Sequence, residues 1–166
     1  MEAFPMIRRS ALRLASAAVV IAVTACASMP QPASVTDVIA RNPQLTTLSQ
    51  LIAAAGLDAT LRGNGAFTVF APSDEAFKAV PAATLAKLGS DKEALLAVLT
   101  YHVLPSKVMA ADVPNGNAKS VQGANLALAK AGTFVTVEDA VVQTPDLAAT
   151  NGVVHIVDRV LTPPKK

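Results

Sequence analysis

The stretch that most constrains this chain is Asn151-Gly152-Val153-Val154-His155-Ile156-Val157-Asp158-Arg159-Val160-Leu161, its longest β-branched run. Asn-Gly opens it, a pair that favours a tight turn with positive φ at both central residues. Thr162-Pro163-Pro164 closes it, because a proline lacks the amide that a strand ladder needs. Val154, Ile156 and Val160 fall on one face, and Val153, Val157 and Leu161 on the other. Two apolar faces imply a strand buried on both sides, at the centre of a core. His155 is the one polar residue within its apolar part, and a buried neutral imidazole at that place is expected to act as a fastener between layers.

The N-terminal region is read apart from the fold. Residues 1–25 have the features of an export signal: Arg8, Arg9 and Arg13 form a positive segment, and Leu14 to Val23 an apolar run too short to span a bilayer comfortably. The run ends in Val23-Thr24-Ala25-Cys26, which resembles a bacterial lipobox: an aliphatic residue, two small residues and a cysteine. Cys26 is the only cysteine, so it has no internal disulfide partner. The resemblance implies lipid attachment at Cys26 and membrane anchoring; the alternative is an incidental cysteine beside a simple cleavable signal. Ala27 follows it, where an aspartate would suggest retention in the inner membrane, so the outer membrane is favoured, with the domain facing the periplasm or the surface. Arg8-Arg9 also loosely resembles a twin-arginine signal. Residues 26–33, with Pro30 and Pro32, read as a tether, and residues 34–164 as one domain.

Removing this signal removes Arg8, Arg9, Arg13 and Glu2, which takes 14 basic and 12 acidic residues to 11 and 11. A neutral domain with one tyrosine and no tryptophan has neither the basic patch nor the aromatic platform that nucleic acid binding needs. The same scarcity of aromatic residues argues against a carbohydrate platform, and the phenylalanines are expected in the core.

Along the chain, Ser34-Val35-Thr36-Asp37 predicts a capping box before a short helix. Asn42-Pro43 predicts the start of a second helix, with Leu45, Leu48, Ile52 and Ala55 on one face and Gly56 as its left-handed cap. Ala66–Phe70 predicts a strand ended by Pro72, after which Ser73 caps a helix with Asp74 and Glu75 in its first turn. Thr84 to Leu88 predicts a helix closed by Gly89, and Ser90-Asp91-Lys92-Glu93 a second capping box. Tyr101-His102-Val103-Leu104 predicts a short strand. The pattern then alternates, with strands expected at Lys119–Gln122, Asn125–Lys130, Thr133–Glu138 and Val141–Gln143, separated by turns at Gly123, Gly132 and Glu138-Asp139. Helices first and antiparallel strands after them make an α+β domain.

Three segments together resemble the fasciclin domain family: Thr68-Val69-Phe70-Ala71-Pro72-Ser73-Asp74-Glu75-Ala76-Phe77, Leu99-Thr100-Tyr101-His102-Val103-Leu104, and Thr150 to Leu161. They look like the family's first homology box, its Tyr-His motif and its second homology box, in order. The resemblance covers roughly Ser34 to Pro164 and implies a two-sheet β-wedge of about seven strands with a helical cluster against it. It marks Thr68, Phe70, Pro72, Ser73, Asp74, Phe77, Tyr101, His102, Asn151, Gly152 and His155 as structural motif positions. The family is mostly one of extracellular adhesion and matrix modules. In animal members an Asp-Ile pair before the second box has been assigned to integrin binding. Here that place holds Asp146-Leu147, the position the resemblance offers for partner binding.

Ser73, Asp74, His102, His155 and Asp158 are the residue types of a hydrolase triad, but capping accounts for Ser73 and no Gly-x-Ser-x-Gly elbow surrounds it. The two histidines match no common metal-ligand spacing. His102 is expected to lock the Tyr-His strand onto the start of the Ser73 helix, with Ser73, Asp74 or Tyr101 as partner, and Asp158 and Arg159 to form an end pair. The reading is a non-enzymatic, monomeric envelope module without metal or cofactor, acting in adhesion or surface interaction with an unidentified protein. A periplasm-facing binder of an apolar ligand is the alternative, and a serine hydrolase the remote one.

Overall fold

A computed structural model describes residues 33–164; the expected signal, Cys26 and all of the tether but Ala33 lie outside the described residues. Seven strands form one continuous order, β2-β1-β7-β6-β5-β4-β3. They are β1 Phe67–Pro72, β2 Val103–Leu104, β3 Gly116–Lys119, β4 Asn125–Ala131, β5 Phe134–Val137, β6 Ala140–Ala149 and β7 Gly152–Val157. The strand singled out by its sequence holds the middle. All six residues of β7 are buried, and it pairs parallel with β1, Phe67 opposite Gly152 through Pro72 opposite Val157. Its other neighbour, β6, runs antiparallel.

The wedge arises because β6 serves two halves. Ala140 and Val141 pair with β5, whereas Val142 to Ala149 pair with β7. Between Thr144 and Leu147 two residues, Pro145 and Asp146, oppose His155 alone, and Gln143 is a second insertion between Val142 and Thr144. Each extra residue bends a strand and strengthens its twist, so β6 folds over from one half to the other. The single core divides accordingly. Val69, Ala71, Val154 and Ile156 pack with the helices against Val35, Leu48, Ile52, Phe77, Leu95 and Leu99. Phe70, Leu104 and Val157 pack on the opposite face with Leu126, Leu128, Val135 and Val137. Burying each such aliphatic side chain contributes about 1.5–3 kcal/mol.

Six helices cover the first face: α1 Val35–Arg41, α2 Thr46–Ala55, α3 Asp58–Leu61, α4 Asp74–Lys78, α5 Ala82–Ser90 and α6 Lys92–Tyr101. The capping box at Ser34 and Asp37 forms as expected, Ser73 caps α4 by accepting from Ala76 N, and Gly56 ends α2 in the left-handed region at φ 73°. Several local expectations are corrected. Asn42 does not open α2: it ends α1, and its side chain accepts from Gln44 N in a turn that delays α2 to Thr46. Gly89 lies inside α5, and Asp91 rather than Ser90 caps α6, because Ser90 turns its hydroxyl back onto Ala86 and Lys87. Tyr101 is helical, so the Tyr-His strand shrinks to Val103–Leu104. The third strand comes earlier than expected, at Gly116–Lys119, and β6 extends well past Gln143. Phe134 is not in the core: it points outward on β5 and is 68% exposed.

Candidate functional site

The central strands carry a row of polar groups on the face away from the helices, and a strap of irregular chain, Pro105 to Val113, is fastened across them. Thr68 on β1 is fully buried. Its hydroxyl donates to Ser106 O at 2.6 Å and accepts from Val108 N at 2.8 Å, so both of its roles are filled by the strap. His155 on β7 reaches the same segment: Nε2 lies 2.9 Å from Val108 O, and Nδ1 accepts from Asp146 N at 3.1 Å. These partners fix the tautomer as neutral with its proton on Nε2. The ring stacks on Phe70, centroids 5.6 Å apart. Asp146 completes the row. It stands in the β6 bulge at φ 58°, a region that aspartate tolerates better than most residues, and its Oδ1 accepts from Ala110 N at 2.8 Å. Three adjacent strands thus anchor the strap. It ends in a short 3-10 turn, Ala110–Asp112, and presents exposed Lys107, Ala111 and Asp112 beside half-buried Met109.

Burial lowers the pKa of His155, while the bond to Val108 O and the Asp146 charge oppose that shift. The fastening role expected of His155 is met here by bonds to the strap and to β6. The local sequence signals only a turn here, capped by Ser106 and carrying Val108 and Met109, and not its fastenings: the hydrogen bonds join Thr68, Asp146 and His155 to residues distant in the chain.

His102 is buried to 2% exposure and is bonded elsewhere than expected. Nδ1 lies 2.7 Å from Val98 O, and Nε2 accepts from Leu161 N at 2.9 Å. It therefore ties the end of α6 to the segment leaving β7, not to the start of α4. Ser73 is occupied by its cap, and Asp74 accepts from the Thr46 hydroxyl and from Thr47 N, capping α2 from a distance. Pro72 closes β1 and Phe77 packs into the helical core. Tyr101 points the other way: its hydroxyl donates to Asn125 O at 3.1 Å and lies 3.2 Å from Glu138 Oε1, which also accepts from Ala127 N. Burial, with Glu138 beside it, pushes the Tyr101 pKa up to about 12.

Burial pushes the His102 pKa down to about 4. Once unfolded it would take up a proton near pH 6.5. The folded state is therefore favoured in full above pH 6.5, and stability falls as pH drops through the window from 6.5 to 4. His155, also lowered, acts in the same direction. Denaturant titrations at pH 7.5 and 4 should differ by on the order of 3 kcal/mol; equal midpoints would remove the neutral buried imidazole from the account.

Asn151 and Gly152 do not make the expected turn. Neither takes a positive φ, and Ala149 pairs with Gly152, so the hairpin loop is Thr150-Asn151. Asn151 is instead a latch. Its Oδ1 accepts from Val35 N at 2.9 Å, and its Nδ2 donates to Leu61 O and Gly63 O at 2.6 and 3.1 Å. Gly152 is needed for close approach, since a Cβ there would lie 2.1 Å from Phe67 O. Leu147 is half-buried and packs against the helical core. Asp158 is not paired with its neighbour Arg159: its carboxylate accepts from Val141 N and holds the start of β6.

The mixed sheet with its parallel central pair, the split β6 and the helices packed on one face make the α+β architecture that the three sequence segments imply. The chain belongs to the fasciclin domain family, whose model matches residues 43–163. It is 39% identical over 145 residues to protein sll1483 of Synechocystis sp., covering 86% of this chain and 81% of that one. It is 34% identical over 128 residues to the cell surface glycolipoprotein MPB83 of Mycobacterium bovis, covering 74% and 57% respectively. Among solved structures it is similar in fold to the FAS1 domain pair from the insect cell adhesion molecule Fasciclin I. The TM-score is 0.62 at 15% identity, over 79% of this chain and 51% of that one.

Proposed function

We propose that this chain is a non-enzymatic, lipid-anchored envelope protein whose fasciclin domain binds a surface partner through the strap, which the Pro145-Asp146 bulge supports from beneath. The carrying observation is the strap: an irregular segment held by three strands, rigid at its base, with Lys107, Ala111 and Asp112 exposed. Loops positioned by a rigid scaffold are where binding residues concentrate. Asp146 serves this surface from below, because its carboxylate is spent on Ala110 N and its backbone amide on His155. The relatives named for the cell surface and for cell adhesion support the general role. The glycolipoprotein relative and the lipobox at Cys26 support the anchor. Against a hydrolase stands the state of both histidines, whose ring nitrogens are all taken by backbone groups, leaving no base for Ser73.

Two measurements test this. Cells grown with labelled fatty acid should label the wild-type protein and not Cys26→Ala; an unlabelled wild type would sink the anchor. A deletion strain should lose surface attachment, regain it with the wild-type gene, and fail to regain it with a stably folded Met109→Asp variant. Full rescue by that variant would move the binding surface away from the strap.

A second reading rests on a cleft of about 380 Å³ between the α4–α5 turn and residues 158–162, lined by Ala79, Val80, Pro81 and Val160 with Arg159 at its side. Its apolar walls suit a small apolar ligand. Saturable binding of a fluorescent fatty acid, abolished by Val80→Asp, would favour that reading over a protein partner.

A further inference from the structure

The apolar cleft beside the α4–α5 turn does not stand alone, and we propose that it and the hollow next to it form one site for a zwitterionic phospholipid with a single acyl chain. The proposal rests on the second reading above, in which the cleft takes an apolar ligand, and adds the head group that such a ligand carries.

The lining of the two spaces carries the idea. The cleft of about 380 Å³ is walled by Ala79, Val80, Pro81 and Val160. A second hollow, of about 230 Å³, is bordered by Glu138 and Asp139. Arg159, Val160 and Thr162 line both, so the two spaces meet along that segment. From cleft to hollow the surface therefore passes from apolar, through the Arg159 guanidinium, to acidic.

Two of the charges at this junction are open to a ligand. Arg159 and Asp139 are both exposed, and the ion pairs among the described residues are made by Arg62 and not by Arg159. The other carboxylates are engaged: Glu138 Oε1 takes the Tyr101 hydroxyl and Ala127 N, and Asp158, which also borders the cleft, takes Val141 N. The first turn of α5, at the cleft wall, has no acidic residue to oppose an anion. An acyl chain then buries itself along the apolar wall. The phosphate meets Arg159, whose planar fork matches phosphate oxygens. The ammonium that follows the phosphate along an ethanolamine head group meets Asp139. A fatty acid matches the chain and Arg159 but brings its carboxylate up to the acidic hollow with nothing to answer Asp139. A cationic amphiphile sets its charge against Arg159.

The size and place of the cleft select one chain. Its volume lies near the lower end of ligand pockets, which run from about 300 to 1,000 Å³. The cleft lies beyond the exit of β7, whereas the chain enters the domain at the opposite end of that strand, where Ala33 O accepts from Thr150 N. Its occupant is therefore a lipid that leaves a bilayer singly, as single-chain phospholipids do.

The full chain, held soluble in amphipol, can be titrated with three probes of equal chain length, each below its micelle concentration. They are dodecanoyl lysophosphatidylethanolamine, dodecanoyl lysophosphatidylglycerol and dodecanoate, read by the NMR shifts of the Val80 and Val160 amides. The ethanolamine lipid should bind about fivefold more tightly than the glycerol lipid, the worth of one exposed ion pair. Arg159→Gln should weaken both phospholipids by about fivefold. Asp139→Asn should abolish the preference between them, and Val80→Asp should abolish binding of all three. Equal affinity of the two phospholipids for the wild type would overturn the proposal, as would a preference that survives Asp139→Asn or binding indifferent to Arg159→Gln. If dodecanoate still binds and Val80→Asp stops it while the head-group results fail, the apolar-ligand reading stands and this proposal falls. If no probe moves Val80 or Val160, both fall.

Discussion

Gly152→Ala should lower the melting temperature by about 10 °C or more, the largest effect expected of any single methyl group in this domain. The added Cβ would sit 2.1 Å from Phe67 O and 2.9 Å from Val35 Cγ2. A flexible side chain could move aside, but a carbonyl of β1 opposite the centre strand cannot. Overpacking costs about 1–3 kcal/mol when side chains yield, and here the β1–β7 pairing must part, with the Asn151 latch beside it. The same change elsewhere gives the contrast. Gly89 lies in α5 with nothing within 4 Å of its missing Cβ, so Gly89→Ala should stabilise by about 0.5–1 kcal/mol. Gly56, at φ 73° in open space, should lose about 1 kcal/mol. A denaturant series in which Gly152→Ala is no worse than Gly56→Ala would show that β1 and β7 are less closely held than described.

His102→Ala should cost about 2–4 kcal/mol and also flatten the acid response. It leaves a cavity in the core, where truncations of this size carry such penalties, and it strips Leu161 N of its only acceptor in a buried place. Two readouts keep the role of the ring apart from mere packing. A variant that is less stable but equally pH-sensitive would assign the acid window to His155. One that keeps wild-type stability would show that α6 and the β7 exit need no tie.

Much of the fold was legible because its signals are local. The two apolar faces of Val153 to Leu161 are sufficient to demand a central strand, and Ser34, Ser73 and Gly56 act within three or four residues of themselves. The errors share a cause. Asn151-Gly152 looks like a turn because the pair is common in turns, yet its hydrogen bonds run to Val35, Leu61 and Gly63, and its missing side chain faces Phe67. Motif company points His102 to Ser73, Asp74 or Tyr101, but its partners are Val98 O and Leu161 N, backbone groups without any residue-type signature. Tyr101 carries strand propensity and sits in a helix because α6 must run that far to bring its hydroxyl to Asn125 and Glu138. The fastening of the strap escapes the sequence for the same reason. Two of its three anchors are ordinary strand residues, and Asp146 owes its conformation to a bulge that only the pairing reveals.

The parallel pairing of β1 with β7 also has a consequence for the time at which this domain can fold. Phe67 meets Gly152, so the central pairing joins two points separated by most of the domain. Loop closure over such a span must precede its reward, and chains dominated by such contacts fold slowly. The helices and β1 have no partner for their shared inner face until β7 arrives. Synthesis from the N-terminus therefore leaves this domain open until β7 has emerged, since its last strand is the one that shuts the core.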